Sequence, residues 1–115
     1  MKGKYCKVIK EYKTPFLDPL KIEKGELVQI EEKESEWPGW IWCITKIGKE
    51  GWIPKSYLEI QDNNAKLLQN YDATELTVIV GEEFIIEDEE SGWFWVTNEQ
   101  GKKGWIPIKN VKIID

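Results

Sequence analysis

The side chains with most to offer are the tryptophans, seven in 115 residues, and six of them stand in two blocks that recur. Gly39-Trp40-Ile41-Trp42-Cys43 precedes Gly51-Trp52-Ile53-Pro54, and Gly92-Trp93-Phe94-Trp95-Val96 precedes Gly104-Trp105-Ile106-Pro107. Indole rings bury flat apolar area and stack, so the chemistry they supply is recognition. The usual parts of catalysis are missing. The chain contains no His and no Arg, which removes imidazole as base or metal ligand and guanidinium as a bidentate anion clamp. Cys6 and Cys43 have no histidine to activate them, so no nucleophile and base pair is readable and no enzyme activity or cofactor is expected. Cys43 occupies the place of Val96 in the other block and reads as a small buried hydrophobe. The carboxylates of Glu87-Asp88-Glu89-Glu90 could face a hard cation, but their spacing matches no cation loop; they read as a solvated acidic rim, with no metal site.

Both blocks return at one offset of 53 residues, the mark of a tandem duplication in which each copy is a folded unit. The boundaries expected are 1–60 for the first unit, 61–66 for a linker and 67–115 for the second. Units of this size bury only about 60% of their unfolded surface and depend on dense aromatic packing. Short strands are expected at 7–9, 27–31, 40–45, 49–53 and 58–60. The second copy repeats them at 65–68, 83–87, 93–97, 102–106 and 111–114, with an acidic loop at 88–91. Two prolines make 14–19 a loop, and Pro54-Lys55-Ser56-Tyr57 suits a single turn. Hairpin pairing brings Trp42 opposite or diagonal to Trp52. Trp40, Trp42 and Trp52 then share an outward face, while Ile41, Cys43 and Ile53 share the core face. The linker spans at most about 20 Å, which keeps the two units close neighbours.

The net charge of −5 is unevenly shared along the sequence. Residues 1–60 carry 11 Lys against 10 Asp and Glu, and residues 61–115 carry 5 against 11. An acidic second half repels phosphate backbones, so no nucleic acid is expected as partner and a basic peptide or protein surface is favoured. No stretch approaches a membrane span, and Met1-Lys2-Gly3-Lys4 does not open a signal peptide. The expectation is a cytoplasmic protein with both thiols reduced.

These residues resemble the Src-homology-3 family, in two copies covering nearly the whole chain. The opening motif survives as Val8-Ile9-Lys10-Glu11-Tyr12 and Leu67-Leu68-Gln69-Asn70-Tyr71. The turn is Leu20-Lys21-Ile22-Glu23-Lys24-Gly25-Glu26, matched by Leu76-Thr77-Val78-Ile79-Val80-Gly81-Glu82. The close is Gly51-Trp52-Ile53-Pro54-Lys55-Ser56-Tyr57-Leu58, matched by Gly104-Trp105-Ile106-Pro107-Ile108-Lys109-Asn110-Val111. The resemblance implies an all-β fold of two small five-stranded barrels in tandem, joined by a short linker. It implies a non-enzymatic adaptor whose aromatic groove binds extended, proline-rich segments, basic ones among them.

In the first copy the groove it implies is Tyr12, Trp40, Pro54 and Tyr57; in the second, Tyr71, Trp93 and Pro107 remain, with Asn110 where the family closes on tyrosine. Trp52 and Trp105 flank these sets. Asp18, Trp37, Asp72 and Glu75 are candidate rim residues. The first motif tyrosine is Lys10 in one copy and Gln69 in the other, so one pocket wall is missing from both. The first groove is expected to persist and the second to have drifted. Trp42 and Trp95 have no counterpart in the family pattern, and either widen the binding face or are covered between the units. The alternative is a structural or self-associating protein whose tryptophan faces are buried between domains or subunits. Monomer or weak self-association is expected otherwise.

Overall fold

In the computed structural model, residues 2–16, 18–34 and 38–114 are described. Among the described residues the chain is all β apart from two single 3-10 turns, Lys55–Tyr57 and Ile108–Asn110. No helix among the described residues is long and apolar enough to cross a membrane. The strands are β1 (Tyr5–Val8), β2 (Lys21–Ile22), β3 (Leu27–Glu31), β4 (Trp40–Ile44), β5 (Glu50–Pro54) and β6 (Leu58–Gln61). They continue as β7 (Asn64–Leu67), β8 (Tyr71–Asp72), β9 (Glu83–Glu90), β10 (Trp93–Thr97), β11 (Lys103–Pro107) and β12 (Val111–Ile114). Two five-stranded sheets form, in the orders β5-β4-β3-β7-β6 and β11-β10-β9-β1-β12, with β2 and β8 making a separate pair.

The sequence copies and the compact units divide the chain in different places. One unit is residues 19–73; the other joins residues 1–18 to residues 74–115. The opening strand of each copy has changed places with its counterpart. β1 runs antiparallel between β9 and β12, with Cys6 opposite Phe84 and Ile113. β7 runs antiparallel between β3 and β6, with Ala65 opposite Val28 and Ile60.

The cause is local. The short connection expected at 61–66 is a tight hairpin: Gln61 pairs with Asn64, leaving only Asp62 and Asn63 to turn the chain. Asp62 takes a left-handed φ of 56°, which a two-residue hairpin loop requires at its first position and which Asp tolerates better than most residues. A turn that short folds β7 straight back onto β6. The place between β9 and β12 is then filled by β1, whose alternation of buried Cys6 and Val8 matches that of Ala65 and Leu67 on β7.

In the unit 1–18 with 74–115, the core gathers Cys6, Val8, Val78, Phe84, Ile86, Phe94, Val96, Ile106 and Val111. Burying each larger aliphatic or aromatic side chain contributes roughly 1.5–3 kcal/mol. The buried set of unit 19–73 is drawn from the same positions, including Ile22, Val28, Cys43, Ile53, Ala65 and Leu67. Both thiols are free and buried, and burial pushes Cys6 up to about 11 and Cys43 up to about 12.

One element is longer than the sequence suggests. The acidic residues 88–90, expected in a loop, belong to β9, which runs to Glu90 before Ser91 and Gly92 turn the chain at positive φ (35° and 94°). Glu87, Asp88 and Glu89 are exposed, so strand geometry does not require any of them to lose its water.

Candidate functional site

The exchange decides which aromatic residues meet. In unit 19–73, Trp40 on β4 pairs with Pro54 on β5, and the 3-10 turn after Pro54 carries Tyr57. Tyr71, from the second sequence copy, packs its ring edge-on against Tyr57 with centroids 5.2 Å apart. Its hydroxyl donates to the carbonyl of Trp52 at 3.0 Å, which fixes the ring. Tyr71, Trp40, Pro54 and Tyr57 thus occupy one unit. Trp40 and Trp52 are half-buried, whereas Tyr57 and Tyr71 are 8% and 5% exposed, and Pro54 is buried completely.

Tyr12 lies in the other unit. Its backbone exchanges hydrogen bonds with Val78, and its ring meets Trp93 edge-on at 5.6 Å. Trp93 pairs with Pro107 across β10 and β11. Trp93 and Trp105 are only 6% and 3% exposed, so little of either ring is open. The closing tyrosine is replaced by Asn110, 3% exposed, whose Nδ2 donates to the carbonyls of Lys10 and Glu11 at 3.2 and 3.1 Å. Asn110 therefore ties down the backbone leading into Tyr12. Its Oδ1 is buried without a hydrogen-bond partner among the described residues.

The rim residues separate. Glu75 accepts from the Tyr12 hydroxyl at 2.5 Å and from Thr14 Oγ1 at 3.4 Å. Burial raises its pKa above the ordinary glutamate value, and the two hydrogen bonds oppose that rise. Asp72 is half-buried on β8, with Lys21 as strand partner. Asp18 is exposed. Trp37 lies outside the described residues. No cluster of three or more potential metal ligands occurs among those described.

On the β4-β5 hairpin the register is Trp42 directly opposite Trp52, with Ile41 opposite Ile53. Trp42 is 9% exposed rather than open to solvent; its Nε1 donates to Glu50 at 2.9 Å, and the Lys33 ammonium sits 3.6 Å from its ring centroid. Sequence reading missed Glu50 and Lys33 as partners of Trp42, and Tyr12 as the partner of Glu75. Nothing in the local pattern marks the Lys33 contact, which comes from a loop. The Glu50 contact was within reach, since strand pairing fixes Glu50 opposite Ile44, one diagonal from Trp42.

Comparison with known proteins matches the sequence copies. The family model described as the variant SH3 domain fits residues 5–61 and again residues 65–114. The chain is 28% identical over 122 residues to SH3 and PX domain-containing protein 2B of Mus musculus, covering 91% of this chain and 13% of that protein. It is 41% identical over 51 residues to SH3 and PX domain-containing protein 2A of Homo sapiens, 44% of this chain and 4% of that one. The SH3 domain-containing protein Dlish of Drosophila melanogaster is 30% identical over 69 residues, 60% of this chain and 19% of Dlish. No solved structure matches at a significant level.

Proposed function

This chain belongs to the SH3 domain family, of which it carries two copies of the variant form, and on that footing we propose that it is a non-enzymatic adaptor for extended, proline-rich protein segments. SH3 domains mediate protein–protein interaction and are not catalytic modules. The groove we assign is that of unit 19–73, with half-buried Trp40 and Trp52 as its open rings and the largely buried Tyr71, Tyr57 and Pro54 as the packing that holds them. Unit 1–18 with 74–115 offers Tyr12, Trp93 and Pro107, flanked by Trp105 and Glu75, as a reduced second site. The observation that carries the reading is the Tyr57–Tyr71 pair: two rings 5.2 Å apart in the unit that also holds Trp40 and Pro54. Flat rings accept a proline ring without leaving a donor unsatisfied, because proline has no N–H to lose. A preformed polyproline II segment also gives up little entropy on docking.

The test is an amide-shift titration with a proline-rich peptide. Tyr71, Trp40 and Tyr57 should respond together, and Trp40→Ala should weaken binding by at least an order of magnitude, the loss expected when a central aromatic anchor is removed. Silence at all three residues at millimolar peptide overturns the assignment. The proposal also places the chain in the cytoplasm, which fractionation of source cells checks.

A second reading, self-association, is favoured by the exchanged opening strands. An element that closes a neighbouring unit within one chain is able to close the same unit in another copy. A solution mass that stays monomeric across the concentration range excludes it.

A further inference from the structure

Because the fold is built twice, each unit serves as a control for the other. Across β10, β9, β1 and β12, one outward row is Thr97, Ile85, Tyr5 and Ile114. The corresponding row of unit 19–73, across β4, β3, β7 and β6, is Ile44, Gln29, Asn64 and Gln61. Where one copy places three carboxamides, the other places two isoleucines and a tyrosine. Tyr5 is 49% exposed, alternating with buried Cys6, and Ile85 and Ile114 are half-buried. The difference continues at the turn leading into β9, where Ile79 and Val80, each 63% exposed, stand in place of Glu23 and Lys24. That turn lies beside β1, its Gly81 N–H donating to the Val8 carbonyl at 2.9 Å. One copy folds without apolar side chains at these positions, so the core does not require them. Exposed apolar surface of this kind marks a contact with another molecule.

Two residues further along the strands is a charged row, with Lys7 directly between Glu83 and Lys112. Like charges opposite one another on neighbouring strands are unfavourable. In unit 19–73 the same pair of positions is Lys66 opposite Glu59, an attractive pair; here Lys112 replaces the acid. Among the described residues none of Lys7, Glu83 and Lys112 has an ion-pair partner.

We propose that this face docks a second copy of the chain, face to face about a two-fold axis running along β1. That axis lays Ile85 on the other copy's Ile114 and Tyr5 on its counterpart, and it sets each Lys112 against the other copy's Glu83. The acid missing beside Lys112 is thereby supplied from outside, and the contact closes at two chains. Stable interfaces use roughly 20–30 residues a side, and this face is smaller, so the dimer is weak and assembles toward millimolar chain. The proposal rests on the self-association reading, but no strand has to leave its own sheet.

The experiment measures translational diffusion and amide shifts of the full chain from micromolar to millimolar concentration. A reversible dimer should form, with shifts at Tyr5, Ile85 and Ile114, and Tyr5→Asp should abolish it. Lys112→Glu sets acid against acid at both ends of the contact, and Glu83→Lys sets base against base. Either alone should weaken association about 5-fold or more, since two surface pairs are reversed together. Within one copy Lys112→Glu makes the pair with Lys7 attractive, so a weakened fold does not account for its loss of association. An equimolar mixture of these two single variants should dimerise as the wild type does, because both charge contacts are then attractive. A chain that stays monomeric at millimolar concentration overturns the proposal, and so does a mixture that fails to recover association. A dimer indifferent to Tyr5→Asp and to both charge variants is held by exchanged strands, which overturns the face contact and leaves the strand reading standing. If Tyr5→Asp disturbs the fold, the charge variants decide, because Glu83 and Lys112 are exposed.

Discussion

Glu75 shows how one side chain links the candidate site to stability. It accepts hydrogen bonds from Tyr12 and Thr14, yet burial still lifts its pKa above the ordinary value. The folded protein therefore holds a proton at pH values where the unfolded chain has released it. Ionised Glu75 is a liability above its raised pKa; stability returns as pH falls through that value and levels off below the unfolded value of about 4.3. Glu75→Gln keeps an oxygen for Tyr12 and removes the charge. The variant should melt higher than the wild type at neutral pH, with the gap closing as pH drops into the carboxylate range. Thermal melts of both proteins at several pH values check this, and a gap that is constant or reversed rules it out. Sequence showed Glu75 as a rim acid but not this role, because its partner Tyr12 is 63 residues away and arrives only through the exchange. The tryptophan register, by contrast, was legible, since strand alternation and one hairpin turn fix Trp42 against Trp52.

At the scale of elements, both units bring a passing segment against the first glycine of the recurring Gly-Trp-Ile-Pro. A Cβ on Gly51 would lie 2.8 Å from Leu20 Cδ1, the end of a flexible side chain. A Cβ on Gly104 would lie 2.8 Å from the backbone carbonyl of Thr74, which is held in place because it accepts the Trp105 N–H at 2.8 Å. Leu20 is itself buried, but its methyl group can shift at less cost than Thr74, which moves only by breaking that bond. Gly104→Ala should cost roughly 1–3 kcal/mol, the usual range for overpacking, and Gly51→Ala less. Urea unfolding of the two variants measures the difference; equal losses would mean that the backbone at Thr74 yields as readily as a leucine methyl. The strands themselves were largely readable from alternation and turn residues, with β3, β10 and β12 falling where expected. Their partners were not. β1 and β7 carry the same alternation toward the core, so either satisfies either sheet, and only the two-residue turn at Asp62 and Asn63 decides between them. The far end of β9 was missed because acidic residues have low strand propensity, yet exposed positions opposite tryptophans accommodate them.

For the whole molecule, exchange redistributes charge that looked lopsided along the sequence. Unit 19–73 holds seven Lys against ten Asp and Glu, and the other unit nine against eleven, so the −5 of the chain is shared almost evenly. An acidic half is therefore not what a partner meets. The same exchange makes the N-terminal segment a structural part of the unit completed by residues 74–115. β1 lies inside that sheet, between β9 and β12, and contributes fully buried Cys6 and Val8 to its core. Removing residues 1–18 strips an internal strand and opens two edges, a loss that a domain with a few kcal/mol of stability cannot absorb. Unit 19–73 keeps every strand of its own sheet. A chain of residues 19–115 should accordingly retain dispersed indole signals for Trp42 and Trp52, while those of Trp95 and Trp105 collapse toward unfolded positions. Adding a peptide of residues 2–18 should restore the second pair, because β1 then docks in trans. If Trp95 and Trp105 stay native without the segment, or Trp42 and Trp52 are lost with it, each copy closes on its own opening strand and the pairing of Tyr71 with Tyr57 fails too.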